Sequence, residues 1–450
     1  MSSLFGTSGI RGSAKELLTN QFCFDIGRSF AKFLSKYNQR GKIAVGMDPR
    51  ASSARIKTAF SIGLQKENYR VIDEGIAPVP AMNYILIADP SFAGSCMITG
   101  SHIRTDHNGM KFFAFKEEIL KKQEREIKKI YESVKGRVRF KPRRLKLEKS
   151  EKAIEAYKEM LLGIANPPYP KWKVVLDFGN GCQSKALPKV FKKLNIQTFI
   201  INNSLRPGDL MARDTDAVES GGAFLDKLQW KVKKEGADFG IAFDVDGDRG
   251  VFIDEKGKFV PGDYTGTLIS KYSETKVIVA PINVSQVVET IGKPVIRTKV
   301  GSPYVVGAMK KYGATFGFEL NGGGVSAEIM MSRDLGSVTI KMLNLLKKGG
   351  GSLSELVKTL PKFFIYRVKV NCPPRFNSLI LKKVRKRYKG IKVEEIDGLK
   401  IWLSKAAWIL FRPSANAPEF RVFAEAKTKE DAEKLAEEGI KFVKSLIKKT

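Results

Sequence analysis

The 450-residue sequence has little histidine, little cysteine and few acidic residues relative to basic ones. It contains 2 histidines and 4 cysteines, with 79 Lys and Arg against 47 Asp and Glu. The cysteines are scattered without a CxxC pair, so neither a disulfide framework nor a zinc site is predicted, and a reducing compartment fits. No run of 18 apolar residues and no apolar segment of signal-peptide length occurs. We therefore expect a cytoplasmic protein with no membrane partner.

The positive charge is diffuse. The formal net charge is +32. The stretch from Lys116 to Ser150 carries 14 Lys and Arg against 6 Glu, an excess of 14 − 6 = +8. It has no RGG tract, no aromatic-interleaved basic motif and no zinc-finger spacing, so we predict no specific nucleic-acid partner. A positive surface also steers anionic substrates towards a cleft.

Short apolar strands alternate with helices through the first 365 residues. We predict strands at 42–48, 69–75, 173–181, 237–244, 276–281 and 294–299. Near-continuous apolar strands between helices indicate α/β units with buried sheets. The last part of the chain has several strands and a closing helix at 431–447, which predicts a small antiparallel α+β domain. We place the domains at 1–150, 151–258, 259–364 and 365–450.

The motif FDVDGDRG (243–250) follows an apolar strand and offers three alternating carboxylates, Asp244, Asp246 and Asp248. Hard anionic oxygens suit Mg²⁺, and Arg249 beside them could hold a phosphate. One alternative is a solvated acidic turn. A calcium loop of the EF-hand type is excluded, because Arg249 stands where glycine is needed and a strand, not a helix, follows.

Both histidines fall in the motif TGSHIRTDHNGMK, the serine loop (99–111). The Ser101 hydroxyl is a candidate phosphoryl acceptor, His102 a candidate proton carrier, and Lys111 a candidate acid, base or neutralising cation. For His107 we expect a solvated turn position. Since the chain has no GxSxG elbow, a serine loop combined with a three-aspartate loop favours phosphoryl transfer over acyl transfer.

Five motifs, taken in order, give the chain a family resemblance. They are LFGTSGIRG (4–12), the serine loop, the metal loop DVDGDR (244–249), the sugar loop GFELNGGG (317–324) and the phosphate loop RPSANAPEFRV (412–422). The sequence resembles the α-D-phosphohexomutases, which comprise phosphoglucomutases, phosphomannomutases and phosphoglucosamine mutases, and it is similar to their archaeal members. The resemblance implies three successive α/β domains with mixed sheets plus a C-terminal α+β domain around a central cleft.

The resemblance also implies a reaction. A phosphate on Ser101 would pass to a hexose phosphate, and the bisphosphorylated sugar would return its other phosphate, so that phosphate moves between C1 and C6. The cofactors would be Mg²⁺ and a hexose 1,6-bisphosphate activator, and the protein would be a monomer or homodimer. By position, the implied roles are metal binding by Ser101, Asp244, Asp246 and Asp248; phosphate flanking by Arg11 and Arg249; proton transfer by Lys111 and His102; and substrate binding by Gly301, Glu319, Asn321, Arg412, Ser414, Asn416 and Arg421.

Several positions depart from the family pattern. Ile103-Arg104 replaces Asn-Pro in the serine loop, Met47 stands where Arg is common, and Leu320 stands where a polar residue is usual. In the phosphate loop, residues 415–417 replace Gly-Thr-Glu, and the lost glycine removes easy access to positive φ. Two hypotheses follow: an active mutase with a shifted substrate preference, or a degenerate paralogue that binds phosphosugars or regulates without catalysis. The retained serine, histidine, lysine and aspartates favour the mutase.

Overall fold

The computed structural model describes residues 4–213, 223–414 and 418–448, which form four domains in sequence. The first domain contains β1 (Ile10–Ser13), α1 (Asn20–Lys36), β2 (Lys42–Met47), α2 (Ser53–Lys66), β3 (Arg70–Ile76), α3 (Val79–Ala88), β4 (Phe92–Ile98), β5 (His107–Ala114), β6 (Glu117–Glu118), α4 (Lys121–Val134) and β7 (Glu148–Lys149). Its sheet has the order β7-β3-β2-β4-β5-β6, with β1 paired to β5. The strands β7, β3, β2 and β4 are parallel and β5 is antiparallel, so the sheet is mixed.

The second domain carries a five-stranded sheet of its own. It contains α5 (Lys152–Gly163), β8 (Lys173–Asp177), α6 (Leu187–Lys193), β9 (Gln197–Ile201), α7 (Asp226–Glu235), β10 (Phe239–Phe243), β11 (Gly250–Asp254) and β12 (Phe259–Val260). The order is β12-β11-β10-β8-β9, with β8, β9 and β10 parallel and the other two antiparallel. Because β12 pairs with β11, this sheet extends two residues beyond the boundary that we place at 258.

The sheet of the third domain is continuous with the sheet of the first. It contains α8 (Gly262–Tyr272), β13 (Ile278–Pro281), β14 (Val295–Thr298), α9 (Ser302–Tyr312), β15 (Phe316–Phe318), β16 (Gly324–Ser326), β17 (Met330–Asp334), α10 (Leu335–Gly349) and α11 (Leu353–Lys358). The order is β14-β13-β15-β16-β17. Strand β17 pairs with β6 of the first domain at Met331 and Glu117, so hydrogen-bonded strands connect the two domains.

The C-terminal domain has a different architecture. It contains β18 (Phe364–Asn371), α12 (Asn377–Arg387), β19 (Val393–Glu394), β20 (Leu399–Ser404), β21 (Ala407–Pro413), β22 (Glu419–Ala426) and α13 (Lys429–Lys448). Its sheet, β18-β22-β21-β20-β19, is antiparallel throughout, and α13 packs on it. The predicted α+β domain after three α/β domains is therefore confirmed.

The segments that carry the predicted site follow the carboxyl ends of parallel strands. Asp48 follows β2, Thr99 follows β4 and Asp244 follows β10. In open α/β sheets, ligands bind at this edge, so the fold brings these loops towards one place. Among the described residues, no helix combines the length and apolar character needed to cross a bilayer.

Candidate active site

The serine loop holds Ser101 in an unusual conformation. Ser101 is fully buried and has φ of +52°, a region that costs a non-glycine residue about 1–3 kcal/mol. Its amide donates to Thr99 Oγ1 at 2.8 Å, and its hydroxyl donates to Asp244 Oδ2 at 2.9 Å. The loop therefore points the serine out of the first domain and onto the metal loop of the second.

Arg50, which the sequence analysis missed, supports this loop from below. Its Nη2 donates to the carbonyls of Ser101 and Ile103, both at 2.7 Å. Its Nη1 donates to the carbonyls of Arg104 at 2.6 Å and His107 at 3.1 Å. The Arg50 side chain is 1% exposed. At Ile103-Arg104, which replaces Asn-Pro, the Arg50 guanidinium holds the backbone in place through the two carbonyls. The only signal in the sequence for this role of Arg50 was its position two residues after Asp48, just beyond the end of a parallel strand.

The metal loop gathers three buried carboxylates. One oxygen from each of Asp244, Asp246 and Asp248 lies within 4.8 Å of the others. Within the described ranges, Asp246 Oδ1 and Asp248 Oδ1 are buried without a hydrogen-bond donor. Burial, followed by the two neighbouring carboxylates, raises the pKa of Asp244 well above its usual range. Buried anionic oxygens without hydrogen-bond donors are the groups that a hard cation coordinates. The three residues therefore fit Mg²⁺.

Two cations already approach the carboxylates. Lys111 Nζ lies 2.8 Å from Asp246 Oδ2 and 2.8 Å from Asp248 Oδ2. Arg333 Nη2 donates to Asp248 Oδ2 at 2.9 Å. Burial opposes ionisation of Asp248, but Arg333, Lys111 and Arg249 outweigh it and hold the pKa of this carboxyl well below its usual range. Asp248 is therefore charged at neutral pH.

His102 and Arg11 face the same cluster. His102 Nδ1 is 3.3 Å from Ser101 Oγ. Burial, together with Arg249, Arg11 and Lys111, holds the pKa of His102 well below its usual range, so the imidazole is neutral at pH 7. Burial and the charge on Arg249 lower the pKa of Arg11 to about 10, which leaves it cationic. Arg11 Nε and Nη2 are buried and have no acceptor among the described residues. They are available to an anion.

His107 lies at the edge of the loop, away from this cluster. Its side chain is 34% exposed, and its Nδ1 is 3.0 Å from Asp106 Oδ1. It does not line the cleft described below. The partial exposure fits the solvated position that we expect for His107, but the residue is the first of strand β5 and pairs with Ser13 instead of lying in a turn.

One cleft joins the loops of all four domains. The predicted residues that line it are Arg11, His102, Arg249, Gly301, Glu319, Asn321, Arg412, Ser414 and Arg421. Asn416 lies outside the described residues, and its predicted role has no structural description here. Leu320 also lines the cleft, and it is 6% exposed.

The sugar loop packs directly on the metal loop. The Gly250 amide donates to the Asn321 carbonyl at 3.1 Å. Gly322 has φ of +80°, and a Cβ there would lie 1.9 Å from the Gly250 carbonyl oxygen. Only glycine permits so close an approach. Arg333, also missed in the sequence, bonds to both loops, since its Nη1 donates to Glu319 and its Nη2 to Asp248.

The phosphate loop is held by carboxylates. Arg412 Nε donates to Asp397 Oδ2 at 2.6 Å, and the same oxygen accepts the Val300 amide at 3.1 Å. Arg421 Nη2 is 3.4 Å from Glu419 Oε2. Asp397 was not predicted, and it links the C-terminal domain to the segment that carries Gly301.

Family models cover most of the chain. Residues 2–137, 154–257 and 261–364 match alpha/beta/alpha domains I, II and III of the phosphoglucomutase/phosphomannomutase family. A phosphoglucomutase/phosphomannomutase from Thermococcus kodakarensis is 32% identical over 100% of both chains. A phosphoglucosamine/phosphogalactosamine mutase from Sulfurisphaera tokodaii is 30% identical over 98% of this chain and 99% of its own.

Solved structures agree on the fold. A phosphoglucomutase/phosphomannomutase family protein from Burkholderia thailandensis superposes with a TM-score of 0.82 at 22% identity, over 99% of this chain and 97% of the other. An N-acetylphosphoglucosamine mutase from Aspergillus fumigatus, in complex with GlcNAc-6P and magnesium, has a TM-score of 0.64 at 15% identity, over 98% and 96% of the two chains.

A four-domain fold and an acidic cluster facing a buried serine define the class, a phosphosugar mutase. The chain belongs to the phosphoglucomutase/phosphomannomutase family, the α-D-phosphohexomutases. It is an enzyme of the intramolecular phosphotransferase type. The resemblance seen in the motifs is thereby confirmed.

Proposed function

We propose that this mutase interconverts hexose 1-phosphate and hexose 6-phosphate through a phosphoserine at Ser101 and a bisphosphorylated sugar. The observation that carries the proposal is the 2.9 Å hydrogen bond from Ser101 Oγ to Asp244 Oδ2. It places the acceptor hydroxyl at the edge of a buried three-carboxylate cluster. Phosphoryl transfer requires this juxtaposition, because its catalysis depends on positioning and on neutralising charge.

The proposed cofactor is Mg²⁺, held by Asp244, Asp246, Asp248 and the phosphate on Ser101. When bound, the ion would supply positive charge next to the transferring phosphoryl group. The two buried carboxylate oxygens without donors support this role. The Arg11 and Arg249 guanidinium groups line the cleft nearby and would hold the phosphoryl oxygens.

In the transfer step, the free hydroxyl oxygen of the hexose phosphate bonds to phosphorus, and the bond from phosphorus to Ser101 Oγ breaks. The proton of the sugar hydroxyl must reach Ser101 Oγ. A neutral His102, 3.3 Å from that atom, is suited to accept and return it. Lys111 bonds to two carboxylates, which favours its role as a fixed neutralising charge. The return transfer repeats the step with the other phosphate.

The outer part of the cleft would hold the sugar and the phosphate that does not react. Glu319 and Asn321 would bind sugar hydroxyls, and Gly301 would line the opening. Arg412, Ser414 and Arg421 would grip the second phosphate. Four points remain predictions. They are the role of Asn416, the hexose 1,6-bisphosphate activator, the cytoplasmic location, and the monomeric or homodimeric state.

A second candidate function is phosphosugar binding without catalysis. One observation favours it: Asp397 and Glu419 lie beside Arg412 and Arg421, so carboxylates already contact the proposed grip. The buried serine and metal loop weigh against it. Three adjacent buried carboxylates are costly to maintain, and their arrangement next to Ser101 serves transfer rather than binding.

The test is the reaction itself. Purified protein with Mg²⁺ and a trace of hexose 1,6-bisphosphate should convert a hexose 1-phosphate to the 6-phosphate, and intact-mass spectrometry should find one phosphate. Ser101→Ala should lose both, whereas Ser133→Ala, on the exposed side of α4, should keep both. Full activity in Ser101→Ala would defeat the mechanism, and binding without turnover in the wild type would favour the second candidate.

The substrate preference needs a direct comparison. The relatives are named for glucose, mannose, glucosamine and galactosamine phosphates. These sugars differ at C2 or C4. Rates on glucose, mannose and glucosamine 1-phosphate, measured side by side, would assign the preferred sugar.

A further inference from the structure

A second cavity, which we call the side chamber, opens next to the cleft. Its volume is about 430 Å³. Thr7, Val300 and Arg412 line both spaces, so the chamber and the cleft are contiguous. Helix α4 of the first domain and Lys299 of the third form other parts of its wall. A small molecule in the chamber would be next to the proposed substrate grip.

The wall of the side chamber is positive. The charged residues that line it are Lys121, Glu124, Arg125, Lys128, Lys299, Asp397 and Arg412. Five are basic and two are acidic, so the formal charge is 5 − 2 = +3. A concave surface of one sign focuses its field and raises the local concentration of oppositely charged solutes.

Ion pairing divides these cations into two groups. Lys121 pairs with Glu124 at 2.7 Å, and Arg412 pairs with Asp397 at 2.6 Å. In the part of the chain that the structure describes, no carboxylate lies within ion-pair distance of Arg125, Lys128 or Lys299. These three cations are therefore not held in an ion pair with a carboxylate of the described residues. They come from two domains and face a shared space, unlike the lysines scattered over the rest of the surface.

We propose that the side chamber is an encounter site for the phosphate dianion of the sugar substrate, which Arg125, Lys128 and Lys299 attract before the sugar enters the cleft. This inference rests on the proposed mutase function. None of the three side chains forms a hydrogen bond or ion pair with Ser101 or the three aspartates. They act on substrate capture, which enters kcat/KM, and leave the chemical step unchanged.

The test uses the double variant Arg125→Gln/Lys128→Gln. At low ionic strength we expect kcat/KM on a hexose 1-phosphate to fall about three- to tenfold while kcat stays within twofold. The difference should shrink near 0.5 M salt, where the Debye length is only about 4 Å. The matched control is Lys122→Gln/Lys129→Gln, with the same charge change on exposed positions of the same helix outside the chamber wall. The control should stay within twofold of the wild type.

Three results would overturn the encounter site while the mutase function stands. They are an unchanged kcat/KM in the chamber variant, an equal loss in the control, and a matching fall in kcat. A wild-type protein without activity on any of the three 1-phosphates would instead remove the proposed function and this inference together. Thermal unfolding of both double variants checks that each is folded.

Discussion

Replacing Arg50 with lysine should disable the serine loop although the charge is kept. Arg50 makes five side-chain hydrogen bonds, four to carbonyls of the serine loop and one to Asp48. An ammonium has three donors and no planar fork, so at least two of these acceptors lose their partner. A fully buried acceptor left without a donor costs about 1–3 kcal/mol, and three of the five acceptors, the carbonyls of Ile103, Arg104 and His107, are only part-buried.

With the lower end of this range for two lost partners, the cost is about 2 kcal/mol, a factor of about 30 in the population of the correct loop conformation. The positive φ of Ser101 adds to the loop's tendency to relax. We expect kcat of Arg50→Lys to fall about 30-fold, with a smaller change in KM because Arg50 does not line the cleft.

Steady-state kinetics and hydrogen exchange across residues 100–108 would measure this effect. The matched control is Arg55→Lys in the following helix, α2, where the guanidinium donates to Asn20 and to the Ala14 carbonyl. It should retain kcat within threefold. If Arg50→Lys keeps wild-type kcat and wild-type exchange protection, the loop does not depend on this side chain and our reasoning fails.

Two further substitutions probe buried charge. Arg333→Met leaves Glu319 and Asp248 without a shared partner, so the free energy of unfolding should fall by about 3–5 kcal/mol. Arg333→Lys keeps the positive charge, so its free energy of unfolding should fall by less. Equal melting temperatures for the two variants would contradict this. Burial, partly offset by Lys121, raises the pKa of Glu124 from 4.5 to about 7. Because the folded state then favours the protonated carboxyl, stability from this group is present below pH 4.5 and is lost as pH rises to 7. Glu124→Gln should remove up to about 3 kcal/mol of this pH dependence. The measurement is the melting temperature of wild type and variant at several values from pH 5 to 8, and the same dependence on pH in both proteins would refute the prediction.

Regular elements could be predicted because local pattern determines them. The strands at 42–48 and 294–299 appear as β2 and β14, and the C-terminal strands and helix appear as an antiparallel sheet with α13. Helix α4 was not predicted, since the lysine-rich stretch from Lys116 to Ser150 that contains it was considered only for its charge. Its hydrophobic positions, such as the buried Ile127, were the available signal.

The residues of the candidate site also divide into those that could be predicted from the sequence and those that could not. Ser101, Lys111 and the aspartates lie in compact motifs with recognisable spacing, so residue type was enough to nominate them. Arg50, Arg333 and Asp397 each bond to at least one partner that is 51 to 97 positions away. Only the folded chain brings such partners together, and no short pattern in the sequence marks them. Sequence reasoning therefore finds groups that react more readily than groups that hold them in place.

Charge balance links the proposed phosphoserine to the proposed metal ion. Apart from the buried Asp48–Arg50 pair, whose charges cancel, the charged groups around Ser101 are Asp244, Asp246, Asp248, Glu319, Arg11, Lys111, Arg249 and Arg333. Four are acidic and four basic, so the formal charge is zero when all are ionised; the raised pKa of Asp244 disfavours its ionised form until a cation binds. A phosphate adds about −2 and Mg²⁺ adds +2, so the two compensate each other, and either alone leaves uncompensated charge in a buried site. At 4 Å and an effective dielectric constant of about 20, each pair of unit charges is worth about 4 kcal/mol. Removing Mg²⁺ with a chelator should therefore lower the melting temperature of the phosphorylated protein. The same treatment should change the melting temperature of Ser101→Ala, which carries no phosphate, far less. Equal changes in the two proteins would mean that phosphate and metal bind independently.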